Sequence, residues 1–264
     1  MTEQNNALAV FAGQVTGDIA NLVDRGGYED LFFVLQQGSG APVFRNQDLK
    51  DKGLDGRDTI TGVYIGHRFN VIAYPAGYNT NLGKNQEDPV YGGAAPGNGP
   101  LAKLAKDAAS AYQFTKAAER SKFDHSTENP AGHVRVSMEF LVYVPAIGEA
   151  VVLRTYNHYN GIFARGRALD RLLRHSQGGV IPPVPMNFVG RTAEGYGGKD
   201  VQWVDTEVVA DRETAESFAE WVELAKEDEK TLQDINTWLT ALDNPLSDSA
   251  LEALRNVVAL NPPR

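Results

Sequence analysis

The sequence predicts an α+β fold, an antiparallel sheet or small barrel with inserted helices followed by a helical C-terminal unit. Three observations predict it. Strand-like segments before residue 210 are separated by turns and not by regular crossover helices, which favours antiparallel pairing. Val134, Val136, Met138, Phe140, Val142 and Val144 alternate along one segment, giving a strand with one wholly apolar face. From Asp211 the apolar period becomes helical and stays so. The chain therefore divides into a mostly β body, 1–210, and an acidic helical unit, 211–264.

In chain order, Leu8, Phe11, Val15, Ile19 and Leu22 recur at steps of three or four and read as an amphipathic helix over Asn5–Val23, with an N-terminal strand pair around Leu8–Val15 as the alternative. Leu31–Gln36 reads as a strand closed by the turn Gly38-Ser39-Gly40-Ala41-Pro42. Thr59–Ile65 and Phe69–Tyr74 read as a hairpin around Gly66-His67-Arg68. Pro75–Pro100, rich in Gly, Pro and Asn, reads as one long loop. Pro100 opens a helix that Leu101, Leu104, Ala108 and Tyr112 carry to about Ser121.

Val134–Val144 and Ala150–Tyr156 form a strand pair around Pro145-Ala146-Ile147-Gly148. Arg165–His175 reads as a short basic helix. Strands follow at Met186–Gly190 and Asp200–Val209, with Gly195-Tyr196-Gly197-Gly198 as a turn between them. Asp211 caps a long helix whose Phe218, Val222, Ala225, Leu232, Ile235, Leu239 and Leu242 show heptad-like spacing. Asn244-Pro245 ends it, and Ser247–Ser249 starts a last helix with Leu251, Leu254 and Val258. No internal repeat is visible.

The chain has 264 residues, 42% hydrophobic and 22% charged, which suffices for a normal core. It has no cysteine, which excludes disulfides, thiolate metal sites and cysteine nucleophiles. Met1–Asn6 carries no basic segment leading into an apolar run, and no apolar stretch reaches the ~20 residues of a membrane span. A cytoplasmic protein without membrane contact is expected, in the host cytoplasm if the chain is viral. The net charge of −9 is uneven: Val201–Arg264 holds 14 acidic and 5 basic residues, a net of −9, so the preceding residues sum to zero.

Catalytic motifs fail in turn. Gly77–Asn85 resembles a phosphate loop but is one residue too long and lacks the Ser or Thr that holds magnesium. His67, His125, His133, His158 and His175 include no pair at helical ligand spacing, and no H-E-x-x-H exists, so neither a metal nor another cofactor is expected. No G-x-S-x-G is present. No catalytic residue is assigned, and a non-enzyme is the expectation.

Basic and aromatic residues do interleave. Val151–His175 contains Arg154, Arg165, Arg167, Arg171 and Arg174 against Asp170, a net of +4, with Tyr156, His158, Tyr159 and Phe163 among them. His67, Arg68, Phe69 and Tyr74 repeat the mixture. Single-stranded nucleic acid needs cations for its backbone and aromatic faces for its bases. Arg154 and Tyr156 share one strand face, which would serve as a solvent-side platform. The competing reading places these aromatics in a core and the arginines on a solvated helix.

The order of elements from Val134 to Val209 resembles part of the OB-fold single-stranded DNA-binding proteins of tailed phages. The resemblance is carried by Val136-Ser137-Met138-Glu139-Phe140-Leu141-Val142-Tyr143-Val144, Ala150-Val151-Val152-Leu153-Arg154-Thr155-Tyr156, the helix ending Leu172-Leu173, Ile181-Pro182-Pro183-Val184-Pro185-Met186 and Gly198-Lys199-Asp200-Val201-Gln202-Trp203-Val204. It implies an OB-like barrel and sequence-independent binding of single-stranded DNA in replication or recombination. Such proteins often end in a flexible acidic tail, whereas the acidic region here reads as helical. The expected contacts are Arg68, Phe69, Tyr74, Arg154, Tyr156, Tyr159, Phe163, Arg165 and Arg167. The alternative is a phage-type structural or assembly protein that forms homo-oligomers through its C-terminal helices. An enzyme using paired carboxylates is the third reading.

Overall fold

The computed structural model describes residues 30–34, 42–46, 49–74, 91–114, 133–155, 184–194 and 200–260. Their strands are β1 (Asp30–Val34), β2 (Val43–Arg45), β3 (Thr59–Tyr74), β4 (Tyr91–Pro96), β5 (His133–Val144), β6 (Glu149–Thr155), β7 (Pro185–Glu194) and β8 (Asp200–Val208). The helices are α1 (Gly99–Phe114), α2 (Arg212–Glu227), α3 (Glu229–Leu239) and α4 (Asp248–Leu260). The expected N-terminal helix and the basic helix at Arg165–His175 lie outside the described residues.

All eight strands belong to one sheet, in the order β2-β1-β6-β5-β3-β7-β8, with β4 also on β3. Every ladder is antiparallel except β1 with β6. β7 pairs with the first part of β3, Thr59–Val63, and β4 with the last, Arg68–Ala73. The path does not close, so the α+β class holds while the sheet of described residues is open. β5 supplies the physical reason. It is apolar on both faces, with Phe140 and Val142 in one core cluster and Leu141 and Tyr143 in the opposite ones. A small barrel buries one face of each strand; this strand needs cover on both.

Helices provide that cover. On one face α1 and α4 pack on each other and on β3, β4 and β5, burying Phe69, Val71, Val134, Val136, Met138, Phe140, Val142, Leu153, Phe188, Ala105 and Leu254. The alternating apolar set of β5 is therefore all on this face, as its spacing implies. On the other face α2 and α3 bury Val63, Leu141, Tyr143, Val152, Phe218, Val222, Ile235 and Trp238. Each large side chain so buried is worth about 1.5–3 kcal/mol.

The hairpin expected around Gly66 is instead continuous strand. A bulge lies between Tyr64 and Gly66, so that Tyr64 opposes Val142 and Gly66 opposes Leu141, with Ile65 as the extra residue. Gly66 is needed not for a turn but for proximity, because a Cβ there would overlap the Leu239 side chain of α3. The long loop expected over Pro75–Pro100 also contains β4, whose two glycines and two alanines hide its strand character from a propensity reading.

The predicted helix from Asp211 is two helices. Asp211 caps α2 as expected, accepting from Thr214 N at 3.0 Å. Asp228 then ends α2 and caps α3, accepting from Lys230 N and from the Thr231 hydroxyl. A short carboxylate that satisfies the next turn's N–H groups favours a fresh start over continuation. The heptad-like residues thereby divide between α2 and α3, with Phe218, Val222, Ala225 and Ile235 buried within the chain, while α3 ends at Leu239, short of the expected Asn244-Pro245, and leaves Leu242 exposed beyond it. Beyond α3, Asn244 O accepts from Ala94 N, Ser247 N donates to Gly92 O, and Pro245 bridges Ala94. This strap runs along β4 and carries the chain from the α3 face to the α4 face.

Two outcomes follow from this packing. Gly93 has φ +142° and its missing Cβ would overlap Pro245 and Leu246 backbone. Gly93→Ala should lose roughly 3 kcal/mol in urea unfolding, the combined scale of backbone strain and overpacking. Hydrogen bonds from the Thr214 backbone and hydroxyl hold the Asp211 carboxyl below the ordinary 3.8. Its contribution is therefore complete above that value and lost as pH falls through the lower, folded value. Asp211→Ser, which caps without titrating, should remove this component from the acid titration of helicity at 222 nm while keeping α2 at neutral pH.

Candidate functional site

Among the described residues, the buried charges Arg68 and Glu139 lie on one row across three strands. Glu139 of β5 is opposite Arg68 of β3 on one side and Arg154 of β6 on the other. Arg68 Nε donates to Glu139 Oε2 at 2.7 Å, and Arg154 Nε donates to Oε1 at 2.5 Å. Arg68 Nη1 also donates to Asp243 Oδ1 at 2.5 Å and to the Trp238 carbonyl at 3.3 Å. Its guanidinium carbon lies 4.4 Å from the centroid of the Trp238 ring. Glu139 has 0% exposure and Arg68 5%.

The bulge sets this arrangement. Tyr64 precedes it on the α1/α4 face, and His67, Phe69 and Val71 follow it on that same face. Without the extra residue, strand alternation would direct Arg68 into that apolar cluster. With it, Arg68 faces Glu139 and α3. A buried guanidinium tolerates this position because a carboxylate, a second carboxylate, a carbonyl and an aromatic face all meet it.

The structure brings two of the expected contact residues together, Arg68 and Arg154, but on either side of Glu139 and not as an open platform. α2 and α3 cover this face of the sheet. The Arg154 side chain keeps 24% exposure while bonded to Glu139. Phe69 points to the opposite face with 0% exposure, edge-on to His67 at 5.7 Å. Neither Arg68 nor Phe69 presents a surface to solvent, because bulge and alternation turn both inward. Tyr74 ends β3 opposite His133. Tyr156, Tyr159, Phe163, Arg165 and Arg167 lie outside the described residues.

Sequence reasoning missed Glu139, Asp243 and Trp238. Glu139 did leave a signal: a single charge inside Met138-Glu139-Phe140-Leu141-Val142, where an unpaired carboxylate could not be buried. Asp243 and Trp238 left none, since only the fold brings them to Arg68. Elsewhere Tyr64 accepts from or donates to His67 Nδ1 at 2.7 Å, and burial keeps the Tyr64 hydroxyl from ionising at any ordinary pH. Among the described residues no group of three or more His, Asp or Glu could hold a metal ion. Among them too, no helix is long and apolar enough to cross a membrane.

The charges of Arg68, Arg154, Glu139 and Asp243 cancel, so the row acts as a staple between sheet and C-terminal helices. Glu139→Ala leaves two guanidiniums without their shared partner and should cost about 3–5 kcal/mol in urea unfolding followed by tryptophan fluorescence. Replacing Arg68, Glu139 and Arg154 together by Met, Leu and Met should recover most of that loss, since the desolvation cost goes with the charges.

No family model, no curated protein and no solved structure matches this chain.

Proposed function

We propose that the chain binds single-stranded DNA without sequence preference, in replication or recombination, through the connection that follows β6. One observation carries the reading: Val151–His175 has a net charge of +4 interleaved with Tyr156, His158, Tyr159 and Phe163. That composition suits a phosphate backbone and unstacked bases together. Its position supports the reading. The connection leaves the sheet at Thr155, one residue after Arg154, and re-enters at β7. The helices α2 and α3 carry seven acidic and three basic residues, so a polyanion is repelled from their layer and attracted elsewhere.

Contact through a sheet face, as in an OB-like barrel, has less support, because helices cover both faces of β3 and β5, the strands at its middle. Arg68 and Phe69 accordingly leave the contact set, and Tyr156, Tyr159, Phe163, Arg165 and Arg167 remain its centre. Assembly through the C-terminal helices also has less support. Their apolar stripe faces the sheet, with Leu224 and Leu242 the large apolar residues left exposed there.

Fluorescence anisotropy of a labelled oligothymidine, with an equal-length duplex beside it, tests the reading. Salt-sensitive binding of the single strand alone is expected. Phe163→Ala should cost about 1–3 kcal/mol, the scale of one stacked base. Arg165→Ala and Arg167→Ala should each flatten the dependence of log affinity on log salt by about 0.7. Absence of binding at low salt, where attraction is strongest, would overturn it.

A further inference from the structure

β8 is the last strand on its side of the sheet, and among the described residues its only ladder is with β7. Val209 N donates to Pro185 O at 3.0 Å, so that opposed pair is a hydrogen-bonded one. Such pairs alternate with non-bonded pairs along an antiparallel ladder. Gln202, Val204, Thr206 and Val208 therefore direct their N–H and C=O away from β7. Gly190, opposite Val204, agrees: its N–H points away from β8, to Asp58 O at 2.7 Å.

Asp205 interrupts that outward row. Its Oδ1 accepts from the Thr206 N–H at 2.9 Å, taking up a donor that an added strand would need. The neighbouring outward position is Val208, 56% exposed, which by itself would favour an apolar cross-strand contact. Exposed edges with free donors invite pairing with another chain, and charge on the edge is a common protection. We infer that Asp205 is an edge guard: it occupies the outward Thr206 N–H and places a carboxylate where a second copy of this chain would add its own β8. Two copies meeting there would bring Asp205 of each into the new ladder, desolvating both. The inference does not rest on DNA binding.

The test is sedimentation velocity over a hundredfold range of protein concentration. Asp205→Ala should self-associate, with an association constant raised roughly tenfold or more over the parent, the scale of one charge-assisted hydrogen bond. Asp205→Asn keeps an acceptor oxygen at the same place but loses the charge, and should associate more than the parent and clearly less than the alanine variant. Adding Val208→Lys to Asp205→Ala, an edge lysine at an exposed position, should reverse the association. Asp205→Thr, a better strand former, should associate like the alanine variant and serves if alanine lowers stability. The guard is refuted if folded Asp205→Ala and Asp205→Thr sediment as the parent at every concentration. It is equally refuted if Asp205→Asn associates as strongly as they do, or if Val208→Lys leaves the association unchanged.

Discussion

A carboxylate with no exposure at the centre of a sheet is the constraint on which the rest depends. Glu139 must be met by cations on both sides, because burying it alone would cost far more than one domain's margin of stability. Arg68 and Arg154 meet it from the two neighbouring strands. That requirement fixes the register of β3, β5 and β6 against one another, since a slip of one residue in any of them would turn its charge to the apolar face and leave the other charges unmatched.

The bulge at Ile65 and the C-terminal helices follow from the same requirement. β3 runs for sixteen residues and needs apolar side chains on the α1/α4 face both before and after its middle. Only an extra residue lets Arg68 face the other way. Arg68 has more donors than Glu139 can accept, and Asp243 and the Trp238 carbonyl take those of Nη1. The loop after α3 is thus tied to the sheet, and the strap beside β4 continues that tie to the opposite face.

Much of the sheet was legible from alternation alone. The apolar face of β5, its pairing with β6, the strand at β8 and the caps at Asp211 and before α4 each express a local rule. What was not legible depended on distant parts of the chain. Gly66 reads as a turn because nothing near it in sequence reveals that Leu239 lies above it. β4 reads as loop because its residues favour no strand and gain one only by pairing with β3. Arg68 and Phe69 read as a cation beside an aromatic, the pattern of a nucleic-acid contact. Their burial on opposite faces is set by an extra residue that no periodicity marks. Asp228 divides a helical pattern whose apolar period gives no sign of a break.

The same logic moves the expected DNA contacts away from the sheet. Two helical layers cover the middle of the described sheet, β3 and β5, where Arg68 and Phe69 lie, so the cations and aromatics after β6 become the centre of the proposed reading. The structural claim beneath it is that sheet and C-terminal helices form one cooperative unit, held by the Glu139 row and the clusters on either side. Native-state hydrogen exchange tests this most directly. The amides of Ile235 and Trp238 in α3 should exchange with the same opening free energy as those of Leu141 and Tyr143 in β5. Exchange of the α2–α3 amides through a separate opening of lower free energy, with β5 still protected, would contradict it.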